Sequence, residues 1–570
     1  MRRPVHSLSQ IFSFSRLLVA AALPTLGCYS AGDGVSPPED RIYFPVGLAL
    51  VNDARHLVVA NSDFDLQYNA GTLNVLDVTQ LAPFVGAPCA SDSDCQAAAT
   101  RCDEDSHNAY CSARTICHES GLCVDPSKSD PNRSDGQSLC GLLAPRRLTE
   151  QLLSPGACAH VDPSHPPETA TSLLLSEVQI GAFATDVVFR ERPAALPAED
   201  ASGRPISGRA FIPVRGDATL HWADVSVDGR LECGQLNGGS CDDLHRAGNH
   251  PEENTRDLRM ASEPFAVAAS PGGEALMVTN QTSGTVSLFV NNWDPQVGPA
   301  LEFAVTGLPA RPVGIAALPT PGYVAVRGDY YPPGFLVTFR NAPEIDLLRY
   351  YDDSNRSPGA GDPVVRPYAA RTGVSTINVN SVGSDSRGIA IDSSARRRAE
   401  QACSANGDAS LDCLLNASTT PLDVFVANRS PATLLLGRTA PARNALENTE
   451  APNFYDSLPL TLGPSRVVVG NVVVGVDDSG ASILERRVFV VCFDSRRIFV
   501  YDPDRRRLDA EISTGRGPHA LAVDEKRGWL FVGHFTDSFI SVVSLNRRFP
   551  KTYGTTLAII GKPTPPRASK

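Results

Sequence analysis

Residues 518–543 read PHALAVDEKRGWLFVGHFTDSFISVV. An apolar run, Ala520–Val523, meets a turn carrying Asp524 and Gly528. A second run, Trp529–Gly533, ends on polar His534, and a third follows after another turn. Short apolar runs punctuated by Gly and Asp are the pattern of successive strands in an antiparallel sheet. The pattern recurs at 264–289 (PFAVAASPGGEALMVTNQTSGTVSLF) and, with a longer second turn, at 45–78 (PVGLALVNDARHLVVANSDFDLQYNAGTLNVLDV). Alternation in VSLF and ISVV has the period of two expected of a half-buried sheet.

Weaker copies begin at Pro312 (PVGIAALP), Arg387 (RGIAID, resumed at 422–436 as LDVFVANRSPATLLL), Ser465 (SRVVVG) and Ala184 (ATDVVF, continued by AFIPVRGDATLHWADVS). That makes seven copies. A fourth strand stands between some of them: LLLSEVQIGAF ending at Phe183, RRLDAEIST at 506–514, and TTLAIIG at 555–561. Four-strand units repeating about every 40–50 residues predict an all-β, seven-bladed β-propeller. Two stacked β-sandwiches would show no such repeat. The propeller is expected over 42–562, with a Cys-rich insertion at 83–168 inside blade one and a tail at 563–570.

The strand-turn-strand Leu276–Phe289 (LMVTNQTSGTVSLF) and the strand-opening Pro518-His519-Ala520-Leu521-Ala522-Val523 resemble the YVTN-type β-propeller repeat family. That resemblance implies the fold. It implies no single activity, since the family spans lactonases, surface-layer proteins and electron-transfer scaffolds.

The N-terminus, MRRPVHSLSQIFSFSRLLVAAALPTLGC, places Arg2, Arg3 and Arg16 before the apolar run Leu17–Ala22, as in a secretory signal too short to span a membrane. Its end, Leu23–Cys28, resembles a bacterial lipobox, with Thr25 where that pattern has Leu. Residues 1–28 are therefore read as a lipoprotein signal ending in an acylated Cys28. Ordinary cleavage, with Cys28 a spare thiol, is the alternative. Tyr29, not Asp, follows, which by the same resemblance implies the outer membrane of a Gram-negative cell. Residues 29–41, polar and rich in Gly and Pro, read as a flexible tether. Membrane contact is expected through this anchor alone.

Of 14 cysteines, eight crowd one segment: Cys89, Cys95, Cys102, Cys111, Cys117, Cys123, Cys140 and Cys158. Cys233 with Cys241 and Cys403 with Cys413 form local pairs. Even clusters behind a signal peptide read as disulfides, although the connectivity of the eight is not readable from spacing. Zinc is disfavoured, because Cys111, Cys117, His118 and Cys123 lack the short spacings of zinc knuckles. Asp92, Asp94, Asp103, Glu104 and Asp105 read as solvated surface, not a calcium loop. Cys492, in RVFVVCFD, reads as a core thiol. On the strand register the eight-Cys segment falls between strands c and d of blade one, Cys233 and Cys241 follow strand c of blade two, and Cys403 and Cys413 lie in the a–b turn of blade five. All three insertions are expected on one face.

The net charge of −12 argues against nucleic-acid partners. The opposite face carries the residue after each strand-opening proline or its equivalent: Val46, Thr185, Phe265, Val313, Arg387, Ser465 and His519. Arg311, Arg466 and Arg516 lie close by in sequence. The candidate ligand-binding residues at this channel mouth are Arg311, Arg387, Arg516 and His519, since Arg suits carboxylate or phosphate and His can serve as base or ligand. His534 reads as structural, and His245 and His250 as a weak metal pair. No G-x-S-x-G, H-E-x-x-H or P-loop motif occurs. The expected protein is a monomeric, envelope-anchored, non-catalytic binding or scaffold propeller with a protein or envelope-polymer partner and no cofactor. A lactonase-like hydrolase and a quinone-cofactor or electron-transfer propeller are the alternatives.

Overall fold

The computed structural model describes residues 34–81, 85, 89–99, 116–117, 123–124, 160–164, 172–236, 239–254, 256–327, 331–352, 367–377, 385–405, 410–440, 450–478 and 480–564. Seven antiparallel sheets follow one another along the chain, and their first strands pack side by side in a closed ring. This is a seven-bladed β-propeller. In blade one, strands a to d are Pro45–Val51, His56–Asn61, Gly71–Asp77 and Leu174–Ile180. The inner strands of blades two to seven are Val188–Glu191, Pro264–Ala269, Pro312–Ala317, Ser386–Asp392, Pro464–Val476 and Pro518–Asp524. The expected fourth strands are present at Leu174–Ile180, Arg507–Ser513 and Thr556–Ile560.

The half-buried reading of the strands is corrected. Strand b of blade one is buried throughout. Leu57 and Val59 enter the core shared with blade seven, while Val58 and Ala60 enter the core shared with blade two. In blade six, Phe489 and Val491 face blade seven, and Val488, Val490 and Cys492 face blade five. Alternation therefore sorts side chains between two interfaces, which is why these strands are continuously apolar. Seven apolar clusters fill the seven interfaces. Each fully buried Val, Leu or Phe contributes about 1.5–3 kcal/mol, so blade stacking is the main stabilising term. Cys492 is a buried free thiol in one of these cores, with its pKa pushed up to about 11 by burial.

Glycines let the inner strands approach. A Cβ on Gly314 would sit 2.0 Å from the Arg387 carbonyl oxygen, and one on Gly388 would sit 2.7 Å from the Arg466 Cα.

The insertions divide their work. The helix α1 (Asp92–Ala99) is stapled to a short hairpin by Cys89–Cys117 and Cys95–Cys123, whose sulfurs form a small core of their own. The sulfurs of Cys89, Cys95 and Cys117 lie within 4.8 Å of one another because these bridges stack. Cys102, Cys111, Cys140, Cys158 and His118 lie outside the described residues, as does Cys28. Further along the same insertion, His160–Val161 pairs in parallel with strand d of blade seven. Cys233 and Cys241 are bonded, but their loop does not join the insertions on one face. It interrupts the outer strand of blade two, between Leu231–Glu232 and Arg246–Ala247, and Ser240 bridges Gln179 on the rim of blade one. The one-face expectation is thus corrected: two insertions leave by a–b or c–d turns, while the third staples the rim.

Cys403 and Cys413 are bonded within the a–b connection of blade five, as expected. That connection folds into two helices, α3 (Ser394–Ala405) and α4 (Leu411–Ser418). Ser410 caps the second by accepting from the Cys413 amide. With α2 (Tyr323–Arg327) from blade four they share a small apolar core of Tyr323, Cys403, Leu414 and Ala417. No described helix is long and apolar enough to cross a membrane.

Candidate functional site

Six inner strands begin with the same irregularity. The a–b ladder skips Val46, Phe265 with Ala266, Val313, Arg387 with Gly388, Ser465, and His519. A β-bulge of this kind frees a side chain from the pleat and re-aims it. In blade two, Thr185 and Asp186 fall between an isolated Ala184–Val214 bridge and the first regular pair at Val188. Each blade therefore delivers one residue to the axis at the same level.

Those residues line two adjoining cavities. The first, of about 160 Å³, is bounded by Val46, Thr185, Phe265 and His519 from the ring and by Phe64, Phe183, Phe493 and Phe535 from the turns above it. Phe64 lies 5.9 Å from Phe183 and 5.1 Å from Phe535, and Phe535 lies 6.1 Å from the His519 ring, forming an aromatic collar. The second cavity, of about 270 Å³, shares Phe265, Phe493 and His519 with the first. It adds Val313, Arg387, Ser465, Arg429, Arg466 and Asp186.

An ion pair spans this second cavity. Arg466 of blade six reaches Asp186 of blade two, with Nη1 and Nη2 each donating to Oδ1 at 2.9 Å. Arg387 pairs with Asp385 at 2.6 Å and Arg429 with Asp494 at 2.5 Å, neither of those acids lining the cavity. Three guanidiniums thus border the cavity against one carboxylate, in a chain of net charge −12. Burial, reinforced by the Arg466 charge, lowers the His519 pKa to about 3 and keeps its ring neutral.

Of the expected site residues, Arg387 and His519 meet here. Arg311 and Arg516 line neither cavity. Arg311 stands exposed in the d–a turn with a left-handed φ of 63°. Arg516 donates to the buried Asp537 at 2.6 Å. His534 is buried, 2.8 Å from Ser541 Oγ and stacked on Phe539. His245 packs tilted against Trp222, ring centroids 3.9 Å apart, with Nδ1 2.6 Å from Asp242, so it is committed away from His250. The aromatic collar, Arg429 and Asp186 were not anticipated. A signal for part of the collar exists, since three second strands run into Phe at the b–c turn: NSDF, VCF and VGHF.

Asp63 sits beside the collar, 2% exposed, and burial raises its pKa to about 7. Its folded pKa lies above the unfolded value of about 4, so the folded state holds the extra proton between these limits. Stability should accordingly fall as pH rises from about 4 to 7. Asp63→Asn, which mimics the protonated carboxyl, is expected to raise Tm at pH 8 and to leave it nearly unchanged at pH 4. Thermal melts at the two pH values check this.

No protein-family model matches the chain, and no curated protein sequence matches it. Solved structures do. A protein from Lactobacillus plantarum is similar over 86% of this chain and 89% of its own, at 12% identity and a TM-score of 0.39. The periplasmic gluconolactonase of Pseudomonas aeruginosa matches over 83% and 86%, at 12% identity and 0.38. Hydrazine synthase of Kuenenia stuttgartiensis matches over 90% and 99%, at 9% identity and 0.39.

Proposed function

We propose that the protein is a non-catalytic binding protein of the bacterial envelope, exported, held to the outer membrane through Cys28, and taking a small ligand at the axial mouth of its propeller. The observation that carries this reading is the pair of joined cavities, furnished by all seven blades but holding no general-base pair among the described residues. Among the described residues no side chain hydrogen-bonds the His519 ring, and a base of pKa about 3 is too weak to activate water at neutral pH. The two bridges holding α1 and the Cys233–Cys241 and Cys403–Cys413 bridges support an oxidising compartment.

Two measurements test it. Fractionation of expressing cells should find the protein in membranes and Cys28→Ser in the soluble fraction; equal distribution would remove the anchor. A gluconolactone hydrolysis assay should give the blank rate. A rate above the blank that His519→Gln abolishes would overturn the non-catalytic reading.

A further inference from the structure

We infer that the axial site binds an aromatic organic carboxylate, its ring in the collar and its carboxylate on Arg466. This rests on the ligand-binding reading above and names the chemistry of the ligand. The first cavity is walled mainly by apolar surface, and about 160 Å³ is the scale of one six-membered ring, since engineered apolar cavities of roughly 150 Å³ accommodate benzene. Phe64, Phe265, Phe493 and Phe535 offer ring faces and edges to such a group.

The second cavity opens from it past Phe265, Phe493 and His519. Arg466 there already holds a carboxylate, that of Asp186, through both terminal nitrogens but on a single oxygen. A ligand carboxylate can replace it like for like and take the bidentate geometry that Asp186 does not. Arg387 and Arg429 also line this cavity, each held by an acid outside the lining, Asp385 and Asp494. Neutral His519 neither repels the ligand nor competes for it.

The probes are 4-phenylbutyrate, 4-phenylbutanol, butyrate and phenyl phosphate, titrated calorimetrically into the full-length mature protein. 4-Phenylbutyrate is expected to bind at least about tenfold more tightly than the alcohol or butyrate, a gap of about 1.4 kcal/mol. Arg466→Gln should erase the gap between acid and alcohol, with circular dichroism confirming the fold. Asp186→Asn should tighten binding of the acid several-fold by freeing Arg466. Phenyl phosphate binding above 4-phenylbutyrate would replace the carboxylate by a phosphate ester. Equal binding of acid and alcohol would overturn the anionic class while leaving a binding site. Failure of all four probes, with Asp186→Asn equally inert, would overturn the axial site itself.

Discussion

Glu450→Ala is expected to destabilise the protein by about 3–5 kcal/mol, read as a lowered denaturant midpoint. Glu450 is wholly buried and accepts from Arg349 at 2.9 Å, from Arg396 at 3.2 Å, and from the Tyr331 hydroxyl. Two guanidiniums thus depend on one carboxylate. Arg349 also donates to the Pro332 carbonyl at 2.7 Å, and Arg396 to the Thr420 carbonyl at 3.0 Å. Neither contact neutralises charge. Alanine leaves two positive charges buried at 0% and 2% side-chain exposure with no counter-charge among the described residues. Because Arg396 belongs to α3 and Arg349 to blade four, the same change should loosen the helical cap. Limited proteolysis should then cut between 393 and 420 before it cuts the blades. Glu450→Gln retains the acceptor and should lose about half as much. A loss below about 1 kcal/mol for the alanine variant would mean that water replaces the carboxylate.

Arg209→Met should lose a comparable amount, about 3–5 kcal/mol, and Arg209→Met with Asp224→Leu should recover most of it. Arg209 lies fully buried between blades two and three. It donates to Asp224 at 2.7 and 3.1 Å, to Asn291 at 2.9 Å and to the Asn292 carbonyl at 2.7 Å. Its guanidinium lies 3.9 Å from the Trp222 ring centroid. The single change leaves Asp224 charged at 1% exposure, whereas the double change removes both charges and fills the space with apolar volume. A double-mutant cycle by denaturant titration measures the coupling. If the double variant is no more stable than the single, the hydrogen bonds to Asn291 and Asn292 outweigh the ion pair.

The seven copies are legible because propeller blades solve one packing problem repeatedly. Each blade must be apolar on both faces and turn tightly at both ends, so runs such as VGHF and VVCF recur. The same constraint hides the site. The bulges that aim Val46, Phe265 and His519 inward leave no mark in composition, and Phe493 reads as the end of a strand until the b–c turn carries it over the axis. Arg311 and Arg516 sit as near the strand starts in sequence as Arg466 does. Arg516 turns aside to Asp537 and Arg311 to solvent, whereas Arg466 crosses the channel to a residue 280 positions away.

By itself, then, the sequence determined the propeller, its seven blades, and the local Cys233–Cys241 and Cys403–Cys413 bridges, because these follow from short-range periodicity and from neighbours along the chain. The tertiary structure decided which side chains share the axis, which cysteines pair in α1 and its hairpin, and that the Cys233 loop staples a rim. The axial site and the rim staple are contacts between blades, whose partners are chosen by closure of the ring, and the α1 bridges depend on how one insertion folds on itself; no local pattern encodes either.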